Sequence, residues 1–378
     1  MNIGVIRERG PLERRVALTP PVVRQLVGHG NTVWLEGGAG EGAMFRDDDY
    51  IRAGAQIAYT PGEVFHRCEL LVKVAVPTLE EINACPEGTA LMAFYHMAVA
   101  SRRLCERLQE RSITAIGGEI IETDDGRLPV LSAISEIAGQ MTVPLAMHLL
   151  RSSSGGRGIM LGGSPGVPPA HVVVLGAGAV GTWAAKAASA AGARVTVLDI
   201  ETEKLRRLME HVPAVSTGLA DPDTVACTVA EADVLIGAVL VAGRVTPHVV
   251  TRQMVSRMKP GSVIIDVAID QGGCVETSRP TTLAEPVFVH NGVLHYCVPN
   301  LTADMARSTS IALAQALLPY LQSLCEAGIV GALLSSSALA RGTYTYRGFC
   351  VRPGLAETLG IPYRRLEALL GRKAAAEG

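Results

Sequence analysis

The stretch HVVVLGAGAVGTWAAKAASAAGARVTVLD, residues 171–199, decides the fold class of this chain. It begins as an apolar strand and continues into the pattern G-x-G-x-x-G at Gly176, Gly178 and Gly181. An alanine-rich helical segment follows, and a second strand ends at Asp199. A strand, a glycine-rich turn, a helix and an acidic strand end in this order indicate a βαβ unit that binds a dinucleotide.

Each feature of that pattern has its own physical role. Gly176 permits a tight turn, Gly178 lets the backbone approach a pyrophosphate, and Gly181 lets the helix pack closely on the strand. The helix N-terminus offers unpaired N–H groups to phosphates. Asp199 follows Gly181 by 18 residues, where a carboxylate accepts from ribose hydroxyls and repels a 2′-phosphate. The sequence therefore predicts NAD rather than NADP. The alternative is a glycine-rich turn without a ligand.

Length and composition limit the class of protein. The chain has 378 residues, enough for two domains, with 48% hydrophobic and 19% charged residues, so we expect a folded globular protein. The formal net charge of −2 shows no basic excess for nucleic acid or an anionic membrane surface. Continuous apolar runs, such as residues 236–241, are too short to span a bilayer. The N-terminus has no signal-peptide pattern, and we expect a cytoplasmic protein.

Eight cysteines are scattered along the chain, and none forms a C-x-x-C pair. Zinc and iron–sulfur sites usually need clustered ligands, so we predict no metal site. Buried free thiols in a reducing compartment are the simpler interpretation.

Strand-length apolar segments and helical segments alternate on both sides of the dinucleotide unit. Residues 136–150 predict a long helix, and helical spacing returns from about 302 to 324 and in the charged tail from 355. The 40 glycines fit many tight βα turns. This alternation indicates an α/β protein.

With the dinucleotide unit placed after 170 residues of α/β sequence, the chain resembles the bacterial alanine dehydrogenases. These share a fold with the NAD-binding subunit of proton-translocating transhydrogenase. The resemblance is carried by motifs that run nearly from end to end: ERRVALTP (13–20), GAGEGAMFRDDDYIRAGA (38–55), LVKVAVP (71–77), FYHMA (94–98), ISEIAGQ (134–140), GGRGIMLGGSPGVPPA (155–170), GAGAVG (176–181), IGAVLVAG (236–243), MKPGSVIIDVAIDQGGC (258–274) and SRPTT (278–282).

The resemblance implies an α/β fold with two Rossmann-like domains, each with a doubly wound parallel sheet. The substrate domain would be discontinuous, formed by residues 1–129 and 306–378, with an NAD-binding domain at 130–305 between them. Substrate would lie in a cleft between the domains, and closure of the cleft would exclude water. The resemblance also implies a homohexamer.

Three residues match the family's reacting groups. Arg15 in ERRVALTP would hold the substrate carboxylate, because a guanidinium pairs with a carboxylate through two parallel hydrogen bonds. His96 in FYHMA would be the general acid and base, because an imidazole titrates near neutral pH. Asp270 in VAIDQGG would position water or ammonia beside the nicotinamide. Without the motifs, each has an ordinary structural alternative, and Asp266, four residues before Asp270, is more simply structural.

The resemblance also assigns a set of residues to the cofactor. Asn300 would face the nicotinamide amide, and residues 238–240 would cover the adenosine and the nicotinamide ribose. Lys204 has the alternative of an exposed helix lysine. The complete cofactor set is Ser135, Gly176, Gly178, Ala179, Val180, Gly181, Asp199, Lys204, Ala238, Val239, Leu240, Ile269 and Asn300.

The chain departs from the family at one strand end. The family pattern is K-V-K-E-P, and its second lysine polarises the substrate carbonyl; here the residues are Lys73-Val74-Ala75-Val76-Pro77. Ala75 therefore occupies the position of the catalytic lysine. Lys73 has the same strand parity as Ala75 but lies about 6–7 Å further back. Removing one such preorganised group commonly lowers the rate about 10²–10³-fold. A second departure is the segment LTADMARSTS, residues 301–310, which lacks the family's prolines.

Three interpretations follow. In the first, the protein is an NAD-dependent dehydrogenase of a small L-amino acid and uses another group to bind the substrate carbonyl. In the second, it acts on a different amino acid or an imine in specialised biosynthesis. In the third, it binds NAD but has lost catalysis. Retention of Arg15, His96 and Asp270 argues against degeneracy. A transhydrogenase-type subunit that docks on a membrane partner is a further alternative, and VAIDQGGC argues against it. We expect oxidative deamination of an amino acid to a 2-oxo acid, or the reverse.

Overall fold

The computed structural model describes residues 1–10, 12–241 and 243–371, which fold into two compact units. The first unit combines Met1–Ile134 with Ala303–Gly378, and the second is Ser135–Thr302. The chain therefore leaves the first unit, completes the second, and returns to the first.

The first unit contains an eight-stranded sheet. Its strands are β1 (Asn2–Val5), β2 (Thr32–Glu36), β3 (Gln56–Ala58), β4 (Leu70–Val72), β5 (Ala90–Ala93), β6 (Thr114–Gly117), β14 (Thr343–Tyr346) and β15 (Phe349–Cys350). The order is β15-β14-β6-β5-β4-β1-β2-β3. Strands β1 to β6 are parallel to their neighbours, and the strand order reverses between β1 and β4. In such sheets, ligands bind outside the carboxyl ends of the strands at this reversal.

The second unit contains a seven-stranded sheet in the order β12-β13-β11-β10-β7-β8-β9. Its strands are β7 (His171–Leu175), β8 (Arg194–Asp199), β9 (Ser216–Leu219), β10 (Val234–Gly237), β11 (Val263–Asp266), β12 (Val287–His290) and β13 (Val293–Tyr296). All pairs are parallel except β12 with β13, and the order reverses between β7 and β10. The predicted α/β class with two Rossmann-like sheets is confirmed.

The central strands of both sheets are buried on both faces, which explains their nearly continuous apolar sequences. In β7, Val172 and Val174 pack into one core, whereas Val173 and Leu175 pack into the core on the other face. Helices cover these faces. In the first unit they are α1 (Pro20–Gly28), α2 (Asp47–Arg52), α3 (Pro61–Arg67), α4 (Leu79–Ala84), α5 (Arg102–Glu110), α11 (Ala306–Ser335), α12 (Ser337–Arg341), α13 (Pro353–Leu359) and α14 (Leu366–Leu369). In the second unit they are α7 (Ala179–Ala190), α8 (Thr202–His211), α9 (Pro222–Ala230) and α10 (Arg252–Ser256).

One more helix, α6 (Pro129–Leu149), runs through the boundary between the two units along the chain. It begins seven residues before the predicted start at 136, because Pro129 takes the first helical turn, where its missing N–H breaks no hydrogen bond. Helix α11 starts at Ala306 rather than 302 and continues past the predicted end, with a kink at Gly328.

Helix α6 and the segment Leu301–Ser335 are each long and apolar enough to span a bilayer. The continuous apolar runs in the sequence are much shorter and did not predict this. Both contribute side chains to buried cores. Met141 and Ala146 of α6 lie in the core of the second unit, and Leu317 and Leu321 of α11 lie in the core of the first. The core helix of a soluble protein meets the same criterion, so these helices are weak evidence for a membrane location.

The C-terminal part of the first unit differs from the prediction. The tail from 355 was expected to be one charged helix, but α13 and α14 are short and the stretch between them is extended; residues 372–378 lie outside the described residues. Before them, β14 and β15 form a hairpin whose two turn residues, Arg347 and Gly348, have φ of 46° and 79°. Strand β14 then pairs antiparallel with β6.

The cysteines are free thiols, as expected, but they are not all buried: Cys227 is exposed and Cys325 is half-buried. Within the described residues, no group of three or more histidine, cysteine or acidic side chains could hold a metal ion.

Candidate active site

The first unit collects polar residues where its central parallel strands end. Glu8 follows β1, Lys73 follows β4, His96 follows β5 and Glu119 follows β6. These four strands are neighbours in the order β6-β5-β4-β1, so their carboxyl ends lie along one sheet edge. This is the edge where open α/β sheets place ligand chemistry.

Arg15 lies on the loop after β1 and is only 3% exposed. Both carboxylate oxygens of Glu13 accept from it, with Nε–Oε1 at 2.8 Å and Nη2–Oε2 at 2.5 Å. The next residue anchors the loop, because the Val16 N–H donates to Ser310 Oγ of α11 at 2.9 Å. Glu13 therefore holds the Arg15 guanidinium through two hydrogen bonds, and Ser310 holds the adjoining backbone.

A cavity of about 340 Å³ opens beside Arg15. Its charged lining residues are Arg7, Glu8, Arg9, Glu13, Arg14 and Arg15. The rest of the wall comes from Gly10 and from the loop after β2 at residues 38–42. We call this space the arginine cavity.

Lys73 lies between two carboxylates and is 3% exposed. Its Nζ is 3.2 Å from Glu8 Oε2 and 3.0 Å from Glu81 Oε1. Burial alone would lower the pKa of Lys73, but the negative charges of Glu8 and Glu81 outweigh burial and raise that pKa. Burial raises the pKa of Glu8, against the effect of the Lys73 charge. Lys73 therefore forms a buried triad with Glu8 and Glu81, and both carboxylates hold its ammonium group there.

Ala75 and Val76 follow this triad at the strand end. Ala75 is half-buried and Val76 is 37% exposed, and neither offers a polar side-chain atom. Just before them, the Val74 N–H donates to Glu8 Oε1 at 2.6 Å. Glu8 thereby connects the ends of β1 and β4, the two strands at which the order of the sheet reverses.

His96 adopts a left-handed conformation with φ of 48°, which is uncommon for a residue other than glycine. Glu119 Oε1 stabilises this turn by accepting from the N–H of Tyr95 at 3.0 Å and from the N–H of His96 at 2.9 Å. The Tyr344 hydroxyl donates to the same oxygen at 2.9 Å. The side chain of His96 is half-buried, and its Nδ1 has no hydrogen-bond partner within the described structure.

In the second unit, the glycine-rich turn connects β7 to the N-terminus of α7. Gly176 has φ of 99°, and a Cβ there would lie 2.5 Å from the carbonyl oxygen of Ala238. A Cβ on Gly181 would clash with the carbonyl oxygen of Gly176. Around Gly178, by contrast, a Cβ would meet nothing within 4 Å. The turn is therefore tight on its protein side and open at the N-terminus of a 12-residue helix, which suits a phosphate group.

Asp199 holds this turn in place at the end of β8. Its Oδ2 accepts from the Ala177 N–H at 2.7 Å, and its Oδ1 accepts from the Glu201 N–H at 2.8 Å. Asp199 is 7% exposed, and each oxygen keeps a second lone pair. The carboxylate therefore has a structural role in the turn that the sequence prediction, which assigned it only to the ribose, did not include.

Asp270 and Asn300 are brought together in the second unit. Asp270 is half-buried on a 3₁₀ turn, Val267–Gln271, after β11, and its Oδ1 accepts from the Asn300 N–H at 2.8 Å. Asp266 begins this turn and accepts from the N–H groups of Ala268 and Val275, each at 3.2 Å. Burial raises the pKa of Asp266, although the N–H groups of Cys274 and Val275 oppose the rise. Asp266 therefore fixes the loop that carries Asp270.

The other residues assigned to the cofactor are spread over the second unit. Ala238 lies against Gly176, Val239 is half-buried beside it, and Leu240 is 46% exposed. Ile269 is buried next to Asp270. Ser135 lies on α6 and Lys204 on α8, where Lys204 Nζ pairs with Glu201 Oε1 at 2.7 Å, as an exposed helix lysine does. Ala179 and Val180 form the first turn of α7.

Sequence reasoning missed the acidic partners of the predicted residues. Glu13, Glu8, Glu81 and Glu119 each contact a residue that had been singled out, or its backbone. Only Glu81 had a local signal: TLEE, residues 78–81, matches a helix capping box, which the structure contains. The other contacts depend on tertiary structure.

Two family profiles match the chain nearly from end to end. "Alanine dehydrogenase/PNT, N-terminal domain" matches residues 4–138, and "Alanine dehydrogenase/PNT, C-terminal domain" matches residues 142–353. The chain is 40% identical over 371 residues to an alanine dehydrogenase of Mycobacterium tuberculosis, covering 98% of this chain and 100% of that one. An alanine dehydrogenase of Halomonas elongata is 42% identical over 372 residues, again with 98% and 100% coverage. A solved L-alanine dehydrogenase superposes with a TM-score of 0.89 at 41% identity, covering 95% of this chain and 99% of the other.

Proposed function

The chain belongs to the alanine dehydrogenase/PNT family, and from this premise we propose how its residues divide the work of an amino-acid dehydrogenase. It is an NAD-dependent oxidoreductase that acts on the CH–NH₂ group of an amino acid. The similarity at about 40% identity over 98% of the chain carries this conclusion and favours it over the two alternatives raised by Ala75. The overall reaction converts a small L-amino acid, water and NAD⁺ into a 2-oxo acid, ammonium, NADH and a proton.

We propose that Arg15 binds the substrate carboxylate. Its guanidinium is buried and oriented by Glu13, so little side-chain entropy remains to be lost on binding. A guanidinium provides the two parallel donors that a carboxylate requires. The hydrogen bond from the Val16 N–H to Ser310 Oγ holds the loop that carries Arg15.

We propose that His96 moves protons. As the amine is oxidised and the resulting imine is hydrolysed, protons leave nitrogen and water and must be accepted and returned. The left-handed backbone conformation that Glu119 stabilises sets the direction of the His96 imidazole. The N–H groups of Val99 and Ala100 both donate to the His96 carbonyl and hold the turn that follows it. Glu119 and Tyr344 act as positioning residues.

We propose that Asp270 positions the attacking water, or ammonia in the reverse direction. Its loop is anchored at both ends by Asp266, and one of its oxygens accepts from the Asn300 N–H, which leaves the other oxygen to orient a small donor.

The second unit has the features that NAD needs: an open helix N-terminus at Gly178, an acidic strand end at Asp199, and exposed apolar side chains at Ile200 and Leu240. NAD, when bound, accepts the hydride from the substrate Cα. Gly178, Ala179 and Val180 would hold the pyrophosphate, and Asp199 would accept from the ribose.

Lys73 does not replace the missing family lysine in this account. Both of its carboxylate partners hold it within the buried triad. Ala75 leaves the substrate carbonyl without that cation, so we expect the exchange of ammonia and water at the substrate carbon to be slow in both directions.

We further infer a homohexamer in the cytoplasm, supported by the family resemblance. Light scattering of the purified protein tests the assembly: a mass near six times 39.7 kDa supports it, and a monomer contradicts it.

Steady-state NADH formation from a panel of L-amino acids tests the function. We expect turnover with NAD and little with NADP, and loss of turnover in His96→Asn but not in Arg24→Gln, an exposed residue of α1. Absence of NADH with every amino acid, from a protein that binds NAD, would contradict the proposal.

A further inference from the structure

The connection that follows β10 carries residues assigned to the cofactor and leaves their side chains in the open. We call residues 238–246, of which all but 242 are described, the β10 loop. It begins at Ala238, whose N–H donates to the Leu175 carbonyl oxygen at 2.8 Å. Further along, Leu240 and Val245 are exposed. These side chains bury little surface that could hold the loop in one conformation.

A side chain from the neighbouring connection reaches this loop. Gln271 ends the 3₁₀ turn that carries Asp270 and is only 8% exposed. The carbonyl oxygens of Val241 and Arg244 both face its amide. Because a carbonyl oxygen only accepts, the amide presents its nitrogen to them, and Nε2 donates to Val241 at 3.1 Å and to Arg244 at 2.9 Å. One buried amide therefore supplies two hydrogen bonds to an exposed loop.

The backbone of Gln271 adds a third contact. The Thr246 N–H donates to the Gln271 carbonyl oxygen at 2.8 Å, and Thr246 is buried at the end of the β10 loop. Next to it, a Cβ on Gly272 would lie 3.1 Å from Val245 Cγ1, so the two connections are in contact here. Gln271 thus holds the β10 loop at its middle through the side chain and at its end through the main chain.

Two proposed roles meet at Gln271. Its neighbour Asp270 positions water or ammonia, and the β10 loop contributes to the cofactor site. Within the loop, the Arg244 N–H donates to the Val241 carbonyl oxygen at 3.1 Å, and Gly243 has φ of 67°. A turn that contains glycine has many alternative conformations unless its surroundings restrict it. Fixing the loop in advance lowers the conformational entropy that is lost when a ligand binds.

We infer that Gln271 is a positioning residue for NAD: its amide holds the β10 loop in the conformation that receives the cofactor. This inference rests on the proposed function and adds to it a residue that acts through the loop backbone. It places the effect of Gln271 on cofactor binding, with little effect on binding of the amino acid, whose carboxylate is assigned to Arg15.

Titration of the purified protein with NADH, followed by nicotinamide fluorescence, tests the inference. Gln271→Met keeps a side chain of similar length and removes both donated hydrogen bonds. We expect Kd for NADH to rise about tenfold, as for the loss of two neutral hydrogen bonds, and KM for NAD to rise in parallel. KM for the amino acid should stay within about twofold. Gln253→Met, the same change at an exposed position of α10, should leave all three constants unchanged.

Gln271→Glu separates hydrogen-bond donation from side-chain shape. Its carboxylate has the shape of the amide but places an acceptor opposite two carbonyl oxygens, so Kd for NADH should rise at least as much as in Gln271→Met. Thermal unfolding without nucleotide measures whether each variant is folded. Should Gln271→Met fail to fold, Gln271→Glu provides the same comparison with the native protein.

The outcomes separate the inference from the proposed function. If the native protein binds NADH and both variants bind it within about twofold of native, the inference is wrong and the proposed function stands. Native affinity in Gln271→Glu alone, or an equal rise in KM for NAD and for the amino acid, also overturns the inference. A native protein that binds no NADH overturns both.

Discussion

The carboxylate of Glu13 accepts two hydrogen bonds from one side of the Arg15 guanidinium, from Nε to Oε1 at 2.8 Å and from Nη2 to Oε2 at 2.5 Å. Both side chains are almost fully buried. The two residues are separated by one position, and the Arg15 N–H also donates to Glu13 Oε1 at 3.0 Å. The pair therefore forms a compact local unit that orients the guanidinium before substrate arrives.

Glu13→Gln should weaken substrate binding more than turnover. The neutral amide makes weaker hydrogen bonds and loosens the guanidinium, so we expect about a tenfold rise in KM with kcat within about threefold. Steady-state kinetics with the best substrate measure both constants. Glu357→Gln, an exposed residue of α13, is the matched control. A fall in kcat with unchanged KM would show that Glu13 acts on the chemical step instead.

Lys73→Met should destabilise the first unit by about 3–5 kcal/mol, because it leaves two buried carboxylates without their cation. In the native protein the pKa of Lys73 is raised, so its stabilisation is present below the unfolded lysine pKa and is lost as pH rises through the folded value. The pKa of Glu8 is also raised, so the fold favours its neutral form.

The Lys73→Met protein should therefore regain more stability than the native protein as pH falls from neutral and Glu8 becomes protonated, because the Lys73 charge that lowers the pKa of Glu8 is gone. Denaturant unfolding at several pH values measures this difference, with Arg24→Met as the control for loss of an exposed cation. Equal losses at all pH values would rule out the triad as the cause.

Ala75→Lys should raise kcat/KM for a 2-oxo acid with ammonium by about 10²–10³-fold, because a lysine at this strand end provides the missing donor to the carbonyl oxygen. Val76→Lys adds the same charge one residue later, at a side chain that is exposed rather than half-buried. The control should give little gain. Equal gains from both variants would indicate a general effect of charge rather than a donor at one position.

Glu119→Gln should lower kcat at least tenfold. Three donors converge on Glu119 Oε1, and hydrogen bonds to an ionised acceptor are about twice as strong as neutral ones. A left-handed residue such as His96 persists only where its surroundings enforce it, at a conformational cost of about 1–3 kcal/mol. Glu122→Gln is the neighbouring control. An unchanged kcat and an unchanged pH–rate profile would show that His96 does not depend on this contact.

The second unit could be predicted from local sequence, because its decisive features are local. Strand β7, helix α7 and strand β8, which ends at Asp199, match the predicted strand–helix–strand unit, since apolar runs and glycine turns encode them within a few residues. The hairpin of β14 and β15 also had a local signal that was missed: Arg347-Gly348 between TYTY and FC is a two-residue turn. Its pairing with β6, more than 200 residues earlier, had none.

The candidate site was predictable only as separate residues. Motif resemblance identified Arg15, His96 and Asp270, but gave no indication of Glu119, which reaches His96 from a different strand. Glu13 was adjacent in sequence, yet nothing local distinguished a buried ion pair from two surface charges. Ion pairs and shared acceptors arise when the sheet brings strand ends together.

We propose that this protein removes a hydride from the Cα of an L-amino acid. Incubation with NAD and L-alanine, L-aspartate or L-glutamate, each deuterated at Cα, followed by mass spectrometry of the nucleotide, tests it most directly. We expect NADH that contains one deuterium, and no reduced nucleotide from the His96→Asn protein. Unlabelled NADH, or no NADH from any amino acid while NAD binds, would contradict it.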